Sequence, residues 1–342
     1  MKREAGGFDL IAISLVVALG LSLYVGRMQA AVTLTPESRL LKRQFYKKLN
    51  TCDNVEAYVK HQVQLWWNQD KSITAKLLKL LYADCMVNGC DASILLEGPH
   101  TEKKAPINSG LDGFLLIDKI KTVLEQRCPR TVSCADILNL AARDALHLAG
   151  APSYPVLLGR RDGVQSNEAW VDLPSPSISL DQGIAYFKSK GLDEQDYATL
   201  LGAHTLGKTH CANIHDRLYN FNNTKKSDPT LTKSRVAELK GKCPQSLKKG
   251  QKDPTIFLTE KNGHRYRFTN NYYSNVRSYN TVLRVDQELL YNYNTTQLVL
   301  EYAAEFELFR KEFALSISRM GGLKVLTGKQ GEIRRNCRFT NN

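Results

Sequence analysis

The stretch KLLYADCMVNGCDASILL, residues 79–96, changes character halfway along. Up to Ala83 it continues a helical pattern, with apolar residues three and four apart over 72–83. Beyond Ala83 the chain turns to oxygen donors. Asp84, Asp91 and Ser93 offer side-chain oxygens, and Val87 and Gly89 offer carbonyls between them. Positions 87, 89, 91 and 93 alternate, so an extended loop turns their oxygens to one side. Oxygen-only ligation with two carboxylates suits calcium, and the spacing is not that of an EF-hand. Cys85 and Cys90 are close enough to staple the loop. A plain Asp-rich turn is the other reading of the same residues.

Outward from this stretch the helical period dominates. It recurs over 53–66, 115–126, 134–148, 181–189, 193–204, 232–240 and 298–319. Asp193 followed by Asp196, after the breaker Gly191, marks a helix start. Segments 150–163 and 172–178 are rich in Pro, Gly and Ser and read as loops. The basic stretch 247–267 reads as a solvated loop. No internal repeat interrupts the pattern. The expected architecture is one mainly α domain, with two helical lobes around a cleft.

The N-terminus has the layout of a signal peptide. Lys2 and Arg3 precede an uncharged apolar run, Leu10 to Val25, and cleavage is expected near Ala30. That run falls short of the roughly 20 residues a membrane anchor needs. Residues 1–30 are therefore assigned to the signal peptide and 31–342 to the mature domain, with no stable membrane anchor. The mature part carries eight cysteines, and an even count in an exported chain implies disulfides. Eight cysteines allow 105 pairings, and spacing alone does not choose among them. Asn222 and Asn294 each head an N-x-T glycosylation sequon.

The formal net charge is +13, and removal of residues 1–30, with three basic and two acidic side chains, leaves +12. Such a chain attracts polyanions at long range, an acidic wall polysaccharide being a fitting partner outside the cell. Plain solubility explains the charge equally well. Export argues against a nucleic-acid partner. The chain is expected to be a monomer.

GAHTLGKTHC, residues 202–211, follows an apolar helical run that includes Leu200 and Leu201. A lone histidine there is ordinarily a satisfied core residue. A ligating one needs its second ring nitrogen fixed by a carboxylate or carbonyl.

Taken with CPRTVSCADIL at 128–138, LGRRDG at 158–163, LPSP at 173–176, DRLYNF at 216–221, VDQELL at 285–290 and MGGLKVLTGKQGEIRRNC at 320–337, these stretches resemble the class III secretory plant haem peroxidases. The likeness runs through the whole mature chain, in order. It implies a haem-peroxidase fold, two helical lobes around a central haem b, and His204 as axial ligand, the role histidine has in peroxidases generally. Asp286 matches the buried carboxylate that accepts the imidazole hydrogen. The resemblance also implies disulfides Cys52–Cys128, Cys85–Cys90, Cys134–Cys337 and Cys211–Cys243. It implies a distal calcium on Asp84, Val87, Gly89, Asp91 and Ser93. Glu102 and Asn108 match residues that link that loop to the distal pocket, and Pro174 the position beside the haem edge where aromatic donors dock.

Two departures follow from the same likeness. The helix before the calcium loop carries an Arg and, four residues later, a His in the family; here Lys79 and Ala83 stand there, with Tyr82 as the intervening aromatic residue. Four-residue spacing puts both positions on one helical face. Heterolysis of peroxide requires a proton to leave one oxygen and arrive on the other. Ala83 cannot move it, and Lys79 keeps a charge without the planar fork of arginine. Acid–base catalysis is worth about 10²–10⁴ and a charge-stabilising donor about 10²–10³ in rate. His100 and Tyr82 are the other candidates to carry the proton. The second departure is HRYRFTNNYY at 264–273, with Thr269 where the family has an acid. Lys261, Arg265 and Arg267 crowd this stretch, so a proximal calcium on Thr205 is expected to be weak or absent, with Asp253 as a further candidate ligand.

The resemblance implies an enzyme that oxidises phenolic donors with hydrogen peroxide, in cell-wall or lignin-type oxidation or peroxide removal. The distal pair points to reduced activity. The alternatives are a catalytically impaired haem-binding wall protein and an altered haem oxidase.

Overall fold

The computed structural model describes residues 37–259 and 265–341. The expected signal peptide, Lys261 and His264 lie outside these residues. None of the described helices is long and apolar enough to cross a membrane.

Ten of the described helices, each of seven residues or more, carry the architecture. The first group is α1 (Val55–Gln69), α2 (Ile73–Cys85), α3 (Phe114–Arg127) and α4 (Cys134–Ala149). Then come α5 (Leu180–Lys190), α6 (Glu194–Leu201) and α7 (Lys233–Lys242). The last are α8 (Asn271–Arg277), α9 (Tyr293–Ala304) and α10 (Phe306–Met320). Strands β1 (Lys208–His210) and β2 (Thr255–Phe257) pair antiparallel, with Thr209 opposite Ile256.

Helix α4 is the axis of the first lobe. It is buried almost throughout and packs on α1, α2 and α3. Its start is fixed by Ser133, whose Oγ accepts from the Asp136 amide at 3.1 Å. It ends at Gly150, whose φ of 109° lies in the left-handed region. The second lobe joins α6, α8, α9 and α10. Aromatic rings fill it: Phe268 stacks on Phe309 with centroids 4.8 Å apart, and Tyr273 meets Tyr302 edge-on at 5.1 Å.

Four disulfides close the chain: Cys52–Cys128, Cys85–Cys90, Cys134–Cys337 and Cys211–Cys243. This is the pairing the resemblance implies. Two expectations need correction. The period over 298–319 is split at Glu305, whose backbone leaves the helix (φ −116°, ψ 90°) to give α9 and α10. The stretch 247–267 is not wholly a loop, because β2 lies within it.

Two family-like motifs act as internal braces. Arg160 of LGRRDG is buried, donating to Gly321 O at 2.6 and 3.0 Å and to Asp136 Oδ1 at 2.9 Å. Arg217 of DRLYNF is likewise buried, paired with Asp228 at 2.7 Å. A buried guanidinium is stable only when acceptors of this kind surround it.

Candidate active site

His204 is delivered by α6. A reciprocal capping box opens this helix, Asp193 Oδ1 accepting from the Asp196 amide at 2.8 Å and Asp196 Oδ2 from the Asp193 amide at 3.1 Å. The helix tightens into a 3₁₀ turn, Gly202–Thr205, that carries His204. Asp286 arrives on the helical turn Arg284–Gln287. The segment before that turn is held by Arg217, whose Nη1 donates to Thr281 O at 3.2 Å and Val282 O at 2.9 Å.

His204 Nδ1 lies 2.8 Å from Asp286 Oδ1, and the carboxylate is 3% exposed. A carboxylate accepts, so this bond puts the imidazole proton on Nδ1 and leaves the Nε2 lone pair outward. Nε2 has no partner among the described residues, and the ring is partly exposed. Tyr272 also donates to Asp286 Oδ1, at 3.0 Å. One carboxylate oxygen thus serves two donors.

Helix α2 carries Lys79 and Ala83 one turn apart. Ala83 is buried. Lys79 is reachable by solvent yet surrounded by protein on most sides, so its ammonium sits in a recess. It has no acidic partner among the described residues, and desolvation lowers its pKa; the water that reaches it tempers the effect. Tyr82 is enclosed, its phenol pushed up first by burial and then by the charge of Asp172. It holds its proton too tightly to serve as a base. His100 stands at the surface, bonded to Glu168 Oε1 at 2.9 Å and 78% exposed.

The loop after α2 is tightly organised. Asp84 accepts from the amides of Ala92 at 3.0 Å and Ile94 at 3.4 Å, and Asp91 from that of Ser93 at 2.9 Å. Ser93 Oγ donates to Glu102 Oε2 at 3.3 Å. Gly89 has φ +116° and a Cβ there would meet Lys324 at 2.6 Å, so glycine is required on both counts. Among the described residues no three His, Cys, Asp or Glu side chains converge as a metal cluster. The donors here are instead two carboxylates, a hydroxyl and carbonyls, with Glu102 behind them. Burial raises the carboxyls of Asp84 and Asp91, and carries Glu102 to about 8. For Asp84 and Glu102 the next cause is repulsion from neighbouring carboxylates. Glu102 Oε1 is buried without a hydrogen-bond partner. Buried acids packed together, with Arg334 as a partial counter-charge to Asp91 and Glu102 and with one orphaned oxygen, fit a hard cation. One carbonyl of the set is shared, since Lys190 Nζ donates to Val87 O at 3.2 Å.

Asn108 is tied to the segment that follows this loop. Its Nδ2 donates to Glu102 O at 2.8 Å, while its Oδ1 is buried and unpaired. An acceptor prepared for a donor and left without one is costly. Pro174 is half-buried in a loop tied to the Asp286 turn, where the Val285 amide donates to Pro176 O at 3.0 Å.

The Thr205 side differs. Thr205 Oγ1 lies 3.1 Å from Thr269 Oγ1, hydroxyl against hydroxyl. Asp253 is engaged elsewhere, accepting from the Ala212 amide at 3.2 Å and facing His210 at 3.4 Å. Asn222 and Asn294 are both exposed.

A helical fold with four disulfides and a carboxylate-held histidine defines a haem-peroxidase scaffold. The sequence profile described as "Peroxidase" matches residues 59–305, and the chain belongs to the class III plant peroxidase family. It is 57% identical to "Probable peroxidase 61" of Arabidopsis thaliana over 98% of this chain and 97% of that one. It is 55% identical to "Probable peroxidase 26" of the same plant, over 97% and 98%. "Peroxidase 44", also of Arabidopsis thaliana, is 41% identical over 88% of this chain and 93% of its own.

The sequence reading missed Tyr272 as a second donor to Asp286, although NNYY was in view. It also took Arg217 as a signature without seeing that it steadies the segment leading to Asp286. Both contacts join residues far apart in the chain, and no local pattern announces them.

Proposed function

We propose that the mature chain, residues 31–342, is a secreted haem peroxidase whose reaction with hydrogen peroxide is slow, oxidising phenolic donors of the plant cell wall. The observation that carries the reading is His204, fixed through Nδ1 by Asp286 with Nε2 free. Haem b, when bound, supplies an iron that takes electrons from aromatic donors and delivers them to peroxide. His204 Nε2 would hold that iron, and Asp286, by accepting the Nδ1 proton, makes the imidazole a stronger donor. Pro174 would stand beside the donor.

On the opposite side, Lys79 contributes positive charge but presents it as a flexible point. Ala83 offers no group to move a proton between the two peroxide oxygens. Asn108 Oδ1, buried and unpaired, is the acceptor that would orient a histidine at position 83. The machinery that orients a distal base is thus present without the base. A calcium ion on Asp84, Val87, Gly89, Asp91 and Ser93 would neutralise the buried acids beneath the pocket, and a second ion on Thr205 is weak or absent.

The test is haem titration of the chain and of His204→Ala, followed at the Soret band. The unmodified chain is expected to give a ferric His-ligated spectrum, and the variant to lose it. Unchanged haem binding in His204→Ala would contradict the assignment. Basic charge on a wall protein favours acidic polysaccharide as a loose partner, with N-glycans on Asn222 and Asn294.

A further inference from the structure

A second cleft lies outside the machinery described above. It has a volume of about 610 Å³ and lies among the segment 96–101, the loop 164–170 and the C-terminal strap 338–340. Neither His204, Asp286, Lys79 nor Pro174 lines it. Its size falls within the range of small-ligand sites, roughly 300–1,000 Å³.

Two large rings stand open in its wall. Trp170 is 41% exposed and Phe339 58% exposed. Aromatic rings lining a concave surface that also carries polar groups make it a candidate binding surface. Around them are hydrogen-bonding groups with no partner. The side chains of Gln165 and Thr340 make no hydrogen bond among the described residues. Asn167 uses its Oδ1 on the Ala169 amide at 2.9 Å, which leaves its Nδ2 free.

The charges in the wall cancel. Arg338 donates to Asp118 at 2.6 to 3.0 Å and also to Glu97, which in turn pairs with Lys103. Two acids thus answer two bases, on a chain whose formal net charge is +13. An anionic ligand would find no free cation here. A flat apolar phenol would leave the hydroxyls and amides idle, at the cost of burying them unmade. A sugar ring satisfies both needs, because its C–H face stacks on an aromatic ring while its rim hydroxyls meet amides and hydroxyls.

We propose that this cleft binds a neutral oligosaccharide, stacked on Trp170 and Phe339 and hydrogen-bonded by Gln165, Asn167 and Thr340. The proposal does not depend on the haem reading. It gives the protein a specific hold on uncharged polysaccharide, distinct from the loose attraction of its basic surface for acidic chains.

The experiment is calorimetric titration of the full mature protein with cellotetraose, xylotetraose and mannotetraose, and with tetragalacturonate for contrast. At least one neutral tetrasaccharide is expected to bind with a saturable isotherm. Trp170→Ala and Phe339→Ala are each expected to weaken it about tenfold. Both rings are exposed, so the fold and the Soret band should be unchanged in these variants. Tetragalacturonate binding, by contrast, should fall with added salt and ignore Trp170→Ala. The proposal is overturned if all three neutral sugars bind more weakly than about 10 mM. It is equally overturned if binding survives both ring variants, or if only a free phenol such as ferulate occupies the cleft.

Discussion

Asp286→Asn changes one charge and almost no volume at the point where the histidine is held. Asp286 Oδ1 accepts from His204 Nδ1 at 2.8 Å and from Tyr272 OH at 3.0 Å, in a place only 3% exposed. A hydrogen bond to a charged acceptor contributes about 1.5–3 kcal/mol. That corresponds to roughly 10–100-fold in haem affinity, the range found when the outer partner of a metal-bound histidine is removed. Haem transfer to apomyoglobin measures the affinity, and spectroelectrochemistry the reduction potential. Asp286→Asn is expected to loosen haem by about 10–100-fold and raise the potential, because a less anionic imidazole stabilises oxidised iron less. Tyr272→Phe should act in the opposite direction on the potential. It removes the competing donor and leaves the carboxylate wholly to His204. A merely structural role for Asp286 would move both variants alike. The reasoning is refuted if Asp286→Asn leaves affinity and potential unchanged, or if Tyr272→Phe raises the potential.

Metal analysis after gel filtration is expected to return nearer one calcium than two per chain; two tightly held ions would show that the Thr205 side binds after all. Lys79→Met is expected to raise thermal stability at neutral pH, since it removes a desolvated ammonium. The sign follows from a folded pKa below the unfolded one: the penalty is whole below the folded pKa and shrinks as pH rises through it toward the ordinary lysine value of about 10.4. The advantage of Lys79→Met in melting temperature should therefore fade at alkaline pH, and an advantage that grows there would contradict the partial desolvation of its ammonium.

Much of this fold was legible because its elements are local. The period over 72–83 becomes α2, and Asp193 with Asp196 becomes the capping box of α6. Caps and periods depend on residues within four positions of one another. What escaped were features made by distance. β1 and β2 have three residues each and meet across an intervening helix, so neither has a pattern of its own. The break at Glu305 interrupts a period that continues on both sides, and packing rather than sequence sets it. At the site, oxygen donors stood out through their spacing, as in Asp84 to Ser93. The supports did not. Tyr272 reaches Asp286 across fourteen positions, and Arg217 reaches Thr281 across sixty-four. Lys79 and Ala83 stand out in the sequence against the family pattern, whereas the unpaired Oδ1 of Asn108 is visible only in the structure.

Peroxide activation is proposed to be slow because position 83 lacks a base and Lys79 lacks the planar fork of arginine. Stopped-flow mixing of the haem-loaded protein with hydrogen peroxide, followed at the Soret band, tests it against Lys79→Arg/Ala83→His. The native chain is expected to react slowly and the double variant faster by about 10⁴. Lys79→Arg alone should change little, since nothing yet moves the proton. A native chain that reacts as fast as the double variant would contradict the claim, because another group would then be supplying the base.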